Sequence, residues 1–155
     1  MKKALFLTLT LILLAEPVAA PLNAKAANHC IPTRTDADGP FYRPGAPERH
    51  RVGEGYTLSG VVLSATDCKP LPGTRIEIWL NGPNGRYGDQ WRATLYADQN
   101  GHYRFESHRP VSYGSRPPHI HIIVNTPGHI ELITQHYPKQ EESSSTFDLV
   151  LLPDK

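Results

Sequence analysis

Beyond residue 56 the chain falls into short runs in which apolar or β-branched residues alternate with polar ones. These are Thr57–Ser64, Thr74–Leu80, Arg92–Ala97, His102–Glu106, His119–Val124, Glu131–His136 and Thr146–Leu152. A period of two puts alternate side chains on opposite faces, so each run predicts a β-strand. Turn chemistry separates them: Pro70-Leu71-Pro72-Gly73, Asn81-Gly82, Asn84-Gly85 and Asp98-Gln99-Asn100-Gly101. No window beyond the first segment sustains a 3.6-residue apolar period. Fifteen prolines and twelve glycines suit many short strands joined by tight turns. The pattern predicts an all-β sandwich of about seven to eight mostly antiparallel strands over residues 57–155, with Ser143-Ser144-Ser145 as a surface loop.

Two segments precede the strands. Residues 27–56 are rich in proline, glycine and charge, yet Gly39-Pro40-Phe41-Tyr42 carries aromatic rings that need burial, which predicts an ordered N-terminal arm. Residues 1–26 have the composition of a secretory signal peptide. Met1-Lys2-Lys3 is a positive start, and Ala4 to Ala15 is an apolar run too short to span a bilayer. Cleavage falls after residue 20 or after residue 26. The expected location is therefore secreted or periplasmic, with no stable membrane anchor.

Removal of residues 1–26 changes the formal charge from +1 to −1, leaving 13 basic residues against 14 acidic ones. A near-neutral domain without a basic run argues against nucleic acid as a partner. Two cysteines remain, Cys30 and Cys68. In an oxidising compartment they most simply pair, stapling the arm to the body. Metal ligation by these cysteines is the weaker reading, since neither sits in a C-x-x-C.

The densest chemistry lies in Arg116-Pro117-Pro118-His119-Ile120-His121. On a strand, His119 and His121 face the same way, and two neighbouring imidazoles can chelate a cation. Imidazole suits zinc, copper, iron and nickel, so the pair does not choose the ion. Two ordinary strand histidines without a ligand is the competing reading. The other histidines (His29, His50, His102, His108, His129, His136) are scattered and read as surface or capping residues. The seven tyrosines read individually as half-buried aromatics with bonded hydroxyls.

Taken in order, the motifs identify a resemblance. Gly39-Pro40-Phe41-Tyr42, Ser59-Gly60-Val61-Val62, Cys68-Lys69-Pro70-Leu71, Ile76-Glu77-Ile78-Trp79, Asn84-Gly85-Arg86-Tyr87, Tyr103-Arg104-Phe105, Tyr113, the His119/His121 segment and Leu132-Ile133-Thr134-Gln135 together resemble the intradiol ring-cleavage dioxygenases, the protocatechuate and catechol dioxygenase group. The two-cysteine pattern is similar to that of the small secreted members. The resemblance implies a transthyretin-like (prealbumin-like) sandwich and a non-haem Fe(III) cofactor held by Tyr87, Tyr113, His119 and His121. It further implies that Tyr113 is the ligand that lets go when substrate binds, and that Arg116 faces the bound ring with Gln135 beside it. Tyr42 of the arm is expected to contact substrate.

The partners so implied are a small catechol and O2, and the ring opens between the oxygenated carbons to a cis,cis-muconate-type product. Departures from the family pattern occur in Glu106–Ser112, in the short Gly88–Trp91 loop, and between Tyr113 and Arg116, where only Gly114 and Ser115 stand. They leave the ligands intact and put the identity of the catechol in doubt. Two other classes stay open at this point: a non-catalytic sandwich that binds a ligand or partner, and a copper or zinc protein built on the H-x-H pair. A homo-oligomer, with the arm closing a neighbour's pocket, is equally open.

Overall fold

The computed structural model describes residues 30–155. The expected signal peptide and His29 lie outside the described residues. Eight strands occur among the described residues: β1 (Tyr56–Ser64), β2 (Arg75–Leu80), β3 (Arg92–Tyr96), β4 (His102–Ser107), β5 (Ile120–Asn125), β6 (Leu132–His136), β7 (Ser144–Thr146) and β8 (Leu149–Leu151), with one turn of 3₁₀ helix at Asp89–Trp91. They form two four-stranded sheets. One runs β4-β1-β7 with β8 also paired to β1; the other runs β3-β2-β5-β6. The sandwich predicted by the alternation is present.

Alternation accounts for the core. In β1 every second side chain is buried, with Leu58 and Val62 fully so. The facing sheet contributes Ile76, Ile78 and Leu80 from β2 and Ile120, Ile122 and Val124 from β5, and Phe105 and Tyr103 fill in from β4. Strands β2 and β5 are buried on both faces, against the usual one-sided burial of antiparallel sheets. Their second face is covered by the arm, which runs across it from Asp36, whose N–H reaches the Ile133 carbonyl, to Pro47 and Arg49, which bond Thr94 of β3. The outward side chains Glu77, Trp79 and His121 are each 2% exposed in consequence.

The C-terminal edge corrects two expectations. The run predicted as one strand from Thr146 to Leu152 is two, and Ser144 and Ser145, expected in a surface loop, belong to the first of them, with Ser143 outside it. Both pair parallel with β1, Ser144–Thr146 against Thr57–Ser59 and Leu149–Leu151 against Val62–Ser64. Between them the chain crowds onto Gly60, where a Cβ would meet the Phe147 carbonyl oxygen at 2.2 Å. Here Phe147 N–H bonds the Ser59 carbonyl, and the Asp148 carboxylate accepts from Val61 N–H in place of a backbone oxygen. The interruption is a bulge-like break in one edge strand.

Cys30 and Cys68 form a disulfide with Cα atoms 5.3 Å apart, the pairing expected of them. It ties the start of the arm to the turn after β1. No helix among the described residues is long and apolar enough to cross a membrane.

Candidate metal centre

Strand β5 and the residues just before it set the centre. His121 is the cross-strand neighbour of Trp79 on β2 and of Gln135 on β6. All three project from the outward face, where Trp79 stacks on His121 with centroids 4.8 Å apart and planes 5° off parallel. His119 precedes the strand, and its Nδ1 lies 2.7 Å from the Pro117 carbonyl oxygen. A carbonyl only accepts, so Nδ1 carries the proton and Nε2 is left with its lone pair. That lone pair lies 3.1 Å from His121 Nε2.

Tyr87 completes the group. It comes from the loop after β2, and its hydroxyl is 3.2 Å from both imidazole Nε2 atoms. Three donor atoms thus stand at nearly equal mutual distances. A cation with bonds of about 2.0–2.2 Å to imidazole nitrogen and oxygen, as zinc has, reaches all three at once. Among the described residues no third His, Cys, Asp or Glu joins them, so the oxygen in the set is a phenol. Phenol oxygen is a hard, anionic donor once deprotonated, and that donor set suits ferric iron. Burial pushes the Tyr87 phenol up to about 12, with Arg116 pulling it down and Tyr113 pushing it up; a bound cation would reverse this and favour phenolate. Burial, together with the charges of His119 and Arg116, lowers His121 to about 4, which keeps its ring neutral and available as a donor at physiological pH.

Tyr113 and Arg116 are the two ends of one tight turn, each bonding the other's backbone, with Gly114-Ser115 between them. The short spacing noted in the sequence is therefore what sets the two side by side. The Tyr113 ring stands edge-on to Tyr87 at 5.5 Å and to Phe41 at 5.1 Å, and the residue is 38% exposed. Arg116 donates to Gln135 Oε1 and to the Tyr137 hydroxyl, both at 2.9 Å. Tyr137 in turn donates to Asp36 of the arm at 2.8 Å. Burial would raise the Asp36 carboxyl, but the Ala37 N–H, Tyr137, Arg116 and His121 outweigh it and hold it below its usual range.

Of the residues singled out in the sequence, Tyr87, Tyr113, His119, His121, Arg116 and Gln135 come together. Tyr42 does not: its hydroxyl donates to Glu77 at 2.9 Å and its ring leans on Trp79, one ring further out. Its neighbour Phe41 stacks on Tyr87 at 4.3 Å instead. Trp79, Tyr137 and Asp36 were missed. Cross-strand partners of this kind depend on register, and a lone Trp, Tyr or Asp in the sequence announces none. His136 is also not a surface residue, its Nε2 meeting the Tyr56 hydroxyl at 2.7 Å in the interior; half-buried His108 caps a backbone carbonyl, that of Asn81, through its Nε2.

Comparison with known proteins places the chain in a family. A family model described as "Dioxygenase" matches residues 42–150, and the chain belongs to the intradiol ring-cleavage dioxygenase family. It is 33% identical over 134 residues to a catechol 1,2-dioxygenase of a Pseudomonas sp., covering 63% of this chain and 44% of that protein. It is 30% identical over 142 residues to a chlorocatechol 1,2-dioxygenase of Pseudomonas putida, covering 68% and 54%. Among solved structures, the dioxygenase domain of a dioxygenase and carbohydrate-binding fusion from Streptomyces sp. SirexAA-E superposes with a TM-score of 0.70 at 27% identity, over 80% of this chain and 100% of that one. The chain spans less than half the length of the catechol 1,2-dioxygenases it matches first, 44% and 43%.

Proposed function

We propose that the protein is a secreted, non-haem Fe(III) intradiol dioxygenase that opens the ring of a catechol with O2 to a cis,cis-muconate-type product. The observation that carries this is the triangle of Tyr87 Oη, His119 Nε2 and His121 Nε2 at 3.1–3.2 Å, with the Tyr113–Arg116 turn beside it. Secretion is supported by the signal-like first segment and by a disulfide, which persists in oxidising compartments.

In this reading His119, His121, Tyr87 and Tyr113 hold the metal. Ferric iron, when bound, supplies Lewis acidity toward a chelating catecholate and draws electron density from its ring. The protein's residues do the rest. Tyr113, exposed at a turn and not pinned by a stacked ring as Tyr87 is, has the freedom to leave and take a substrate hydroxyl proton on its Oη. Arg116, its guanidinium held by Gln135 and Tyr137, faces the ring and stabilises negative charge that builds on it. Phe41 and Trp79 pack against Tyr87 and His121 and limit water at the ligands.

Iron-replete expression, metal analysis and an oxygen electrode test the reading. The expected result is about one iron per chain, a visible tyrosinate charge-transfer band that vanishes in the Tyr87→Phe, Tyr113→Phe double variant, and oxygen uptake on at least one of catechol, protocatechuate, hydroxyquinol or chlorinated and alkylated catechols. A colourless protein carrying zinc or copper would overturn it in favour of the H-x-H alternative. Coloured protein inert toward the whole panel would leave a binding module.

A further inference from the structure

Besides covering the outward sheet face, the arm supplies two acceptors that fix Arg116 at one remove. Both hydrogen bonds of the Arg116 guanidinium leave from Nη2, one to Gln135 Oε1 and one to the Tyr137 hydroxyl. Nε and Nη1 take no part in them. Among the described residues no Asp or Glu forms an ion pair with Arg116. Two neutral acceptors orient the cation without cancelling its charge, as a carboxylate in direct contact would.

The arm orients those acceptors in turn. Gln135 Nε2 donates to the Ala37 carbonyl, which turns Oε1 toward Arg116. Tyr137 has one hydroxyl proton and two acceptors within reach, Asp36 Oδ2 at 2.8 Å and Gln135 Oε1 at 3.0 Å. The carboxylate is the nearer and carries the charge, so the proton goes to it and the phenol oxygen keeps its lone pairs for Arg116. The other oxygen, Asp36 Oδ1, accepts from the Ala37 N–H at 2.7 Å. Two donors thus meet two carboxylate oxygens, which an amide, with a single oxygen, cannot reproduce. The dipeptide is itself pinned. Asp36 N–H bonds the Ile133 carbonyl on β6, and Thr33, just upstream, exchanges bonds with Val150 on β8.

We propose that Asp36 and Ala37 form a clamp that positions Arg116, through Tyr137 and Gln135, for the negative charge that builds on a bound ring. The duty of Arg116 toward that ring rests on the proposed function; the clamp on its guanidinium does not. Asp36 and Tyr137 are positioning residues that act through Arg116. Both are exposed, so replacing them leaves the core untouched.

Asp36→Asn and Tyr137→Phe test the clamp by two readouts. The first uses metal-free protein with arginine isotopically labelled on nitrogen, the Arg116 signals being assigned by their loss in Arg116→Lys. Two bonds from Nη2 hinder rotation about Nε–Cζ, so separate Nη1 and Nη2 signals are expected in the unsubstituted chain and averaged ones in both variants. The second uses iron-loaded protein and whichever catechol supports oxygen uptake. Each variant is expected to lower kcat by about fivefold or more, the order one hydrogen bond is worth, with KM changed less than kcat. Adding Asp36→Asn to Arg116→Ala is expected to slow turnover no further. Signals already averaged in the unsubstituted chain, signals still separate in Asp36→Asn, or an equal slowing by Asp36→Asn where Arg116 is already Ala would each overturn the clamp. Signals that average in both variants of a protein inert toward every catechol would support the clamp and overturn the dioxygenase activity instead.

Discussion

Gly39 holds one of the tightest positions near the centre. Its φ of +74° lies in the left-handed region, and a Cβ there would stand 3.1 Å from His121 Cε1. Glycine alone enters that conformation freely; an L side chain gives up about 1–2 kcal/mol to do so. Gly39→Ala should lower thermal stability by that order and, by pressing on His121, shift the metal-bound visible band; an unchanged spectrum would show that the arm does not brace the ligand. Protonation supplies a second residue-scale test. His136, buried against Tyr56, and His121 are both lowered to about 4, chiefly by desolvation. Each takes up a proton more readily once unfolded, so their stabilising effect is complete above about pH 6.5 and is lost as pH falls toward 4. Metal-free protein should therefore lose melting temperature steeply from pH 6.5 to 4.5, and His136→Asn should flatten part of that slope. A melting temperature indifferent to pH across this interval would contradict the assigned burial.

At the scale of elements, the strands were legible because each obeys one periodicity and ends in turn chemistry. The H-x-H pair at β5 was legible for the same reason, since alternation alone puts both imidazoles on one face. What alternation does not encode is which strand lies alongside. Trp79 and Gln135 flank His121 through register, and the arm's choice of Phe41 over Tyr42 for the Tyr87 ring follows from Tyr42 finding an acceptor in Glu77. The β7–β8 break escaped because it originates in another strand, at Gly60. Two substitutions test this level. Ile122→Ala, fully buried between the sheets, should cost about 2–5 kcal/mol in denaturant unfolding. Gly60→Ala should separate β7 and β8 from β1, read as accelerated hydrogen exchange at Val61 and Phe147 while β2 and β5 stay protected; uniform protection would place the clash elsewhere.

For the whole molecule, the arm is what turns a sheet's outer face into a buried site, and one covalent bond holds its start. The Cys30–Cys68 bridge spans 38 residues, which in the chain-entropy account is worth about 4 kcal/mol. Replacing both cysteines by serine should lower stability by that order and weaken metal retention more than it perturbs the β-sheet circular dichroism. Equal loss of both would mean that the arm and sandwich unfold as one unit.

That arm also dictates an order of events. Its ties to the last strands join residues far apart in the chain: Thr33 to Val150 across 117 positions, Arg34 to Thr134 across 100, Ala37 to Gln135 across 98. Contacts of such long range form slowly, because the entropy of closing so large a loop comes before any reward. The sandwich hairpins can zip first, leaving His121 and Trp79 open to water, and the ligand cluster is sealed only at the final docking. Under the proposed function, metal capture then has a natural window during maturation, before Phe41 settles on Tyr87.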